Sequence, residues 1–170
     1  MLSAYIVYAL IKKVCIKRMI LTCVFIVYLT GVAAVTLFPI VYDSVVEYSE
    51  SVTWYNIIPF KTISEALKNG ITSTAITQIA GNIVLAIPFG IIVSLRFEKM
   101  QWWKKLLVAL LFTLTIELSQ MLIGFAVGNM YRNIDIDDVI LNMLGACLGY
   151  GIYAIIPKKK TKKKKRFLLL

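Results

Sequence analysis

Residues 106–127 read LLVALLFTLTIELSQMLIGFAV, an apolar run broken by one ionisable residue, Glu117. At 1.5 Å per residue, a helix of that length crosses the roughly 30 Å hydrocarbon core of a bilayer. A helix apolar all round belongs in a large core or in a membrane, and this chain is too short to supply the core. Glu117 lies near the middle of the run, about 15 Å from its outer end. At that depth an ionisable group costs at least ~2.5 kcal/mol unless it finds a partner or water.

Three further runs share this character, at about Met19 to Pro39, Ile76 to Leu95 and Ile136 to Ile156. Together they predict an all-α integral membrane protein of about four transmembrane helices. Composition agrees: 59% of the residues are hydrophobic, 16% are charged, and mean hydropathy is +0.80. A soluble domain carries roughly 45–50% apolar and about 25% charged residues. Pro88 lies inside the second run and has no N–H for the carbonyl of Val84, which predicts a kink. Nothing repeats at a fixed period, so one transmembrane domain is expected over 19–157. It sits between an N-terminal segment, 1–18, and a basic tail, 158–170.

The net charge of +10 invites a nucleic-acid reading, and its placement argues otherwise. Segments 1–18, 96–105 and 157–170 hold all but three of the 19 basic residues, the exceptions being Lys61, Lys68 and Arg132. The same segments hold only Glu98 of the nine acids. That bias places both termini in the cytoplasm, with every loop on a consistent side. It is not the pattern of a basic groove, and no nucleic-acid partner is expected. The run Lys158 to Arg166 should also hold anionic membrane lipid, at about 1 kcal/mol per charge near the surface. Cys15, Cys23 and Cys147 are odd in number and lie in or beside apolar runs, so no disulfide framework is expected. The chain has no His, which removes the commonest general base and zinc ligand.

Two shorter elements complete the reading. Residues 1–11 are apolar but too short to span, and they lack the basic flank and cleavage site of a signal peptide. They are expected to form a short helix at the cytoplasmic interface. Between the first two spans, the segment Trp54-Tyr55-Asn56-Ile57-Ile58-Pro59-Phe60 carries the aromatic residues typical of the membrane–water boundary. Thr62-Ile63-Ser64-Glu65 fits a capping box and Asn69-Gly70 a stop, which predicts a short interfacial helix near 63–68.

Polar residues recur at helical spacing. Thr113, Glu117, Gln120 and Gly124 share one face of the third span; Asp135, Asp138, Asn142, Gly145 and Gly149 share one face of the fourth. Gln78 and Asn82 do the same in the second. Asn82, Gln120 and Asn142 lie at a common depth of about 8–11 Å from the outer ends. Carboxamides at that depth avoid lipid, so the stripes are expected to converge on an outward-opening cavity with Glu117 at its floor. The structural alternative stays open: carboxamides also join transmembrane helices, at about 0.6 kcal/mol per contact. Asp135, Asp137 and Asp138 could simply cap the fourth helix and complement its dipole. Gly145 and Gly149 could serve internal packing or self-association, so the oligomeric state is open.

The same residues carry a family resemblance. Asn56-Ile-Ile-Pro59-Phe60, Gly81-Asn82-Ile-Val-Leu-Ala-Ile-Pro88-Phe89-Gly90, Glu117-Leu-Ser-Gln120 and Arg132-Asn-Ile-Asp135-Ile-Asp137-Asp138-Val-Ile-Leu-Asn142-Met-Leu-Gly145 occur in this order. As an ordered set spanning about residues 20–155, they resemble the VanZ-like family of bacterial membrane proteins. That family is named for an accessory protein of low-level teicoplanin resistance. The resemblance implies a multi-pass protein of the bacterial cytoplasmic membrane. It also implies a binding site built from Asn56, Pro59, Asn82, Glu117, Gln120, Arg132, Asp135, Asp138 and Asn142. It implies no established reaction.

Three functional classes follow. A binding protein would take an outer-leaflet amphiphile from the surrounding membrane lipid, such as a lipid-linked glycan or a lipoglycopeptide. An enzyme acting on an envelope lipid would use Glu117, Asp135 and Asp138 as carboxylates or to hold a divalent cation. No clear metal-ligand spacing or phosphate cradle supports the second, and no cofactor is expected. A structural or transport subunit is the third class, although four helices without an inverted repeat are few for alternating access.

Overall fold

The computed structural model describes residues 2–12, 14–38, 55–68, 72–127 and 133–157. The basic tail, Arg132, Trp54 and the Asn69-Gly70 stop lie outside the described residues. Six helices occur among those described: α1 (Leu2–Ile11), α2 (Ile16–Leu37), α3 (Lys61–Lys68), α4 (Ser73–Arg96), α5 (Trp102–Val127) and α6 (Ile136–Ile155). Four of them, α2, α4, α5 and α6, are long and apolar enough to cross a membrane. The protein is an all-α membrane protein with four candidate spans, as its periodicity predicts.

Helix α5 shows how a lipid-solvated bundle is built. Leu111, Leu114, Leu118, Leu122 and Phe125 are exposed, whereas Thr113, Glu117, Gln120 and Gly124 are buried. The polar stripe turns inward because lipid offers its donors and acceptors no partner.

Helices α4 and α6 make the most intimate pair. A Cβ on Gly145 would lie 2.1 Å from the carbonyl oxygen of Ile83, and one on Gly149 would lie 2.2 Å from that of Ile87. In the other direction, a Cβ on Gly90 would lie 2.1 Å from the oxygen of Ala146. Backbones touch at all three points, so Gly145 and Gly149 serve internal packing. Beside them Ala86, Phe89, Val93, Ala109 and Ala146 form the buried apolar core. Phe89 stacks on Phe112 with ring centroids 4.0 Å apart.

Helix α4 runs unbroken through Pro88 from Thr72, whose hydroxyl accepts from the N–H of Ala75. One turn before the proline, the Tyr28 hydroxyl donates to the carbonyl of Leu85 at 2.8 Å. Leu85 follows Val84, whose carbonyl is the one that Pro88 leaves without its helical donor. Helix α2 is otherwise peripheral, burying only Val32 and Thr36.

Two features depart from the sequence reading. Tyr55–Asn56 and Ile134–Asp135 pair as a two-residue parallel ladder, with Asn56 opposite Asp135. Helix α3 begins at Lys61, so Thr62 sits in its first turn and does not cap it. The capping-box pattern is present, but another acceptor takes the role.

Candidate functional site

That acceptor is Asp137, which is fully buried. Its Oδ1 accepts from the N–H of Phe60 and its Oδ2 from the N–H of Ile63 at 3.1 Å. Phe60 has φ of 64°, a left-handed conformation that costs a bulky residue about 1–3 kcal/mol. The turn aims both N–H groups of the α3 start at one carboxyl. A helix N-terminus is the natural seat of a negative charge, and the fourth span supplies it from outside α3.

Asp135 is also buried. Its Oδ1 accepts from Asn56 Nδ2 at 2.8 Å and from the N–H of Asp137 at 2.9 Å, capping α6; its Oδ2 accepts from the Thr62 hydroxyl. Asn56 also donates to Thr62 Oγ1 at 3.2 Å and accepts from the N–H of Ile58 at 3.0 Å. These bonds weld the 55–63 segment to the mouth of α6. Pro59 is exposed at the edge of this knot.

Beside the knot lies a cavity of about 600 Å³ between α2, α4, α5 and α6. Its walls include Thr36, Thr77, Gln78, Asn82, Glu117, Gln120 and Asp138. Asn82 Nδ2 donates to Asp138 Oδ1 at 2.6 Å. Gln120 Nε2 donates at 3.0 Å to the carbonyl of Thr36, in the last turn of α2, where helical carbonyls lack intrahelical donors. Glu117 lines the cavity and also reaches the knot, its Oε2 accepting weakly from the N–H of Asp135 at 3.4 Å.

The candidate residues therefore divide. Asn82, Glu117, Gln120 and Asp138 line the cavity; Asn56 and Asp135 belong to the knot. Asn142 is buried beneath α6's mouth and its Oδ1 has no hydrogen-bond partner among the described residues. Leaving such an acceptor unmet costs about 1–3 kcal/mol. Arg132 lies outside the described residues.

Two participants escape the sequence reading. Asp137 passes there for a cap of its own helix, and Thr62 for the cap of α3. Their true partners are some 70–80 residues away, and no local pattern announces them.

Chemically the cavity is rich in acceptors. Two carboxyls, the three carboxamides of Gln78, Asn82 and Gln120, and several hydroxyls line it, and no Lys or Arg does among the described residues. Such a lining complements hydroxyl and ammonium donors. Among the described residues, no three Asp, Glu or Cys side chains gather closely enough to hold a metal ion.

Residues 25–157 match the family model described as VanZ/LLP1. The chain belongs to the VanZ/LLP1 family. It is similar to protein VanZ of Enterococcus faecium, with 32% identity over 87 residues. The match covers 51% of this chain and 50% of that protein, so the chain spans about half the length of this curated relative. No solved structure matches it. Residues 25–157, matched by the family model, contain every candidate site residue, the knot and the cavity.

Proposed function

We propose that this VanZ/LLP1 protein binds an amphiphile of the outer leaflet whose polar part carries hydroxyl or amine donors. The observation that carries the reading is the adjacency of two unlike spaces. The acceptor-rich cavity shares Thr36 and Ile116 with an apolar groove of about 310 Å³, formed by Phe25, Leu29, Val32, Phe89 and Phe112. A sugar or amine head in the cavity and an acyl chain along the groove would satisfy both walls.

A lipid-linked glycan or a lipoglycopeptide has that form, and the relationship to VanZ supports teicoplanin as one such ligand. Handling it in the membrane would lower its effective concentration at its target and raise tolerance modestly. Glu117 and Asp138 would accept from the donors of the head, and Asn82 would hold Asp138 in place.

The test is a susceptibility panel on a sensitive Gram-positive host expressing wild type, Glu117→Gln or Asp138→Asn, with teicoplanin and vancomycin. Selective teicoplanin tolerance, lost in both variants at equal membrane abundance, is expected. Tolerance indifferent to both substitutions would remove the cavity from the function.

A further inference from the structure

At the opposite end of the bundle, a second cleft of about 540 Å³ opens between the start of α2 and the turn after α4. Lys17 and Arg18 line it from one side, Arg96 and Lys99 from the other, and Leu21, Leu95 and Phe97 form its apolar wall. We propose that this cleft binds the phosphate headgroup of an anionic glycerophospholipid from the leaflet on that side. The proposal is independent of the outer cavity and its ligand.

Four cations converge here without an ion pair among the described residues. The one acid in the lining, Glu98, is engaged from elsewhere, its Oε1 accepting from the Tyr153 hydroxyl at 3.0 Å. The Arg96 guanidinium sits over the Phe97 ring at 5.6 Å, which holds it at the rim. Lys17 and Arg18 occupy the first turn of α2, where the helix dipole is itself positive. That turn has no acidic residue, and Cys15 supplies no side-chain cap. Cations at a positive helix end repel it, and an anion between the two basic pairs would relieve both.

Membrane orientation alone does not require this arrangement. The positive-inside bias counts basic residues near span ends and is indifferent to whether they face one another. Lys12 and Lys104 satisfy it outside the cleft. The occupant is a lipid because the walls continue into the membrane: Leu21 belongs to α2, Leu95 to the last turn of α4, and Phe97 is half exposed beside them. Phosphate at the span ends and acyl chain along these residues matches the order of a phospholipid, as basic pockets between transmembrane helices do for acidic lipids.

The purified full chain would be titrated with phosphatidylglycerol, cardiolipin or phosphatidylcholine and examined by native mass spectrometry. Wild type and Lys104→Gln should retain the two anionic lipids and not phosphatidylcholine. Arg96→Gln/Lys99→Gln should weaken that retention about tenfold or more, and Arg96→Lys/Lys99→Arg should restore it. Equal loss in Lys104→Gln would mean diffuse surface charge and overturn the site. So would equal retention of phosphatidylcholine, or displacement by millimolar inorganic phosphate, which would show a soluble anion to be the ligand. Because the neutralised variant could insert wrongly, a photoactivatable phosphatidylglycerol would also be crosslinked to wild type. Adducts at Leu21, Leu95 or Phe97 are expected, and adducts confined elsewhere would refute the proposal.

Discussion

Asp137 and Asp138 are adjacent acids in the first turn of α6 and differ in burial and in what they hold. Asp137 is fully buried and holds two backbone N–H groups of a segment that precedes it by more than 70 residues. Asp138 faces the cavity and accepts from the carboxamide of Asn82. On a helix, adjacent residues point about 100° apart. One α6 turn can therefore fasten the 55–63 segment with one carboxyl and present another to a ligand. Helical spacing already places Asp138 in the polar stripe and leaves Asp137 out of it, but does not show what Asp137 holds.

Exchanging each carboxyl for its isosteric amide should separate the two roles. Asp137→Asn replaces one acceptor with an NH₂ group aimed at a backbone N–H, leaving that donor unmet and a like dipole facing it. A buried unsatisfied donor costs about 1–3 kcal/mol, and loss of the charge at the α3 start adds to this. A destabilisation of about 2–4 kcal/mol is expected, the largest of the series. It would appear as a lower melting temperature in detergent. A variant that melts with wild type would show that the knot does not hold the segment.

Thr62→Val should have a smaller effect. It removes the hydroxyl that donates to Asp135 and accepts from Asn56, while the carboxyl keeps its bonds from Asn56 and the Asp137 N–H. A loss of about 1–2 kcal/mol is expected, since hydrogen bonds to a carboxyl lie at the stronger end of the range. A loss as large as that of Asp137→Asn would mean that Thr62, not Asp137, is the main fastening.

Legibility in the sequence follows the same division. The four spans and the inward stripes of α5 and α6 could be read because helical periodicity and the penalty for polar groups in lipid are local rules. Gly145 and Gly149 announced a close helix approach, though not that α4 supplies the partner. The knot could not be read. The Phe60 turn is left-handed without a glycine to signal it, and the Thr62 pattern fits a cap that Asp137 provides instead. The division of Asp135 from Asp138 depends on the short Asn56–Asp135 ladder, and two-residue pairing leaves no periodic trace. Gln120 was legible as inward-facing, but not as the donor to an end carbonyl of α2.

Asp138→Asn is the smallest expected change in stability and the most informative. An asparagine there still offers an amide oxygen to Asn82, so the bond loses only its charge assistance, about 0.5–1 kcal/mol. The melting temperature should move little while ligand-dependent tolerance disappears. That combination would mark a group whose charge serves the ligand rather than the fold. If Asp138→Asn instead melts as low as Asp137→Asn, the cavity wall and the knot are one cooperative unit. Loss of tolerance in that variant would then report unfolding, and the assignment of Asp138 to a binding role would have to be given up.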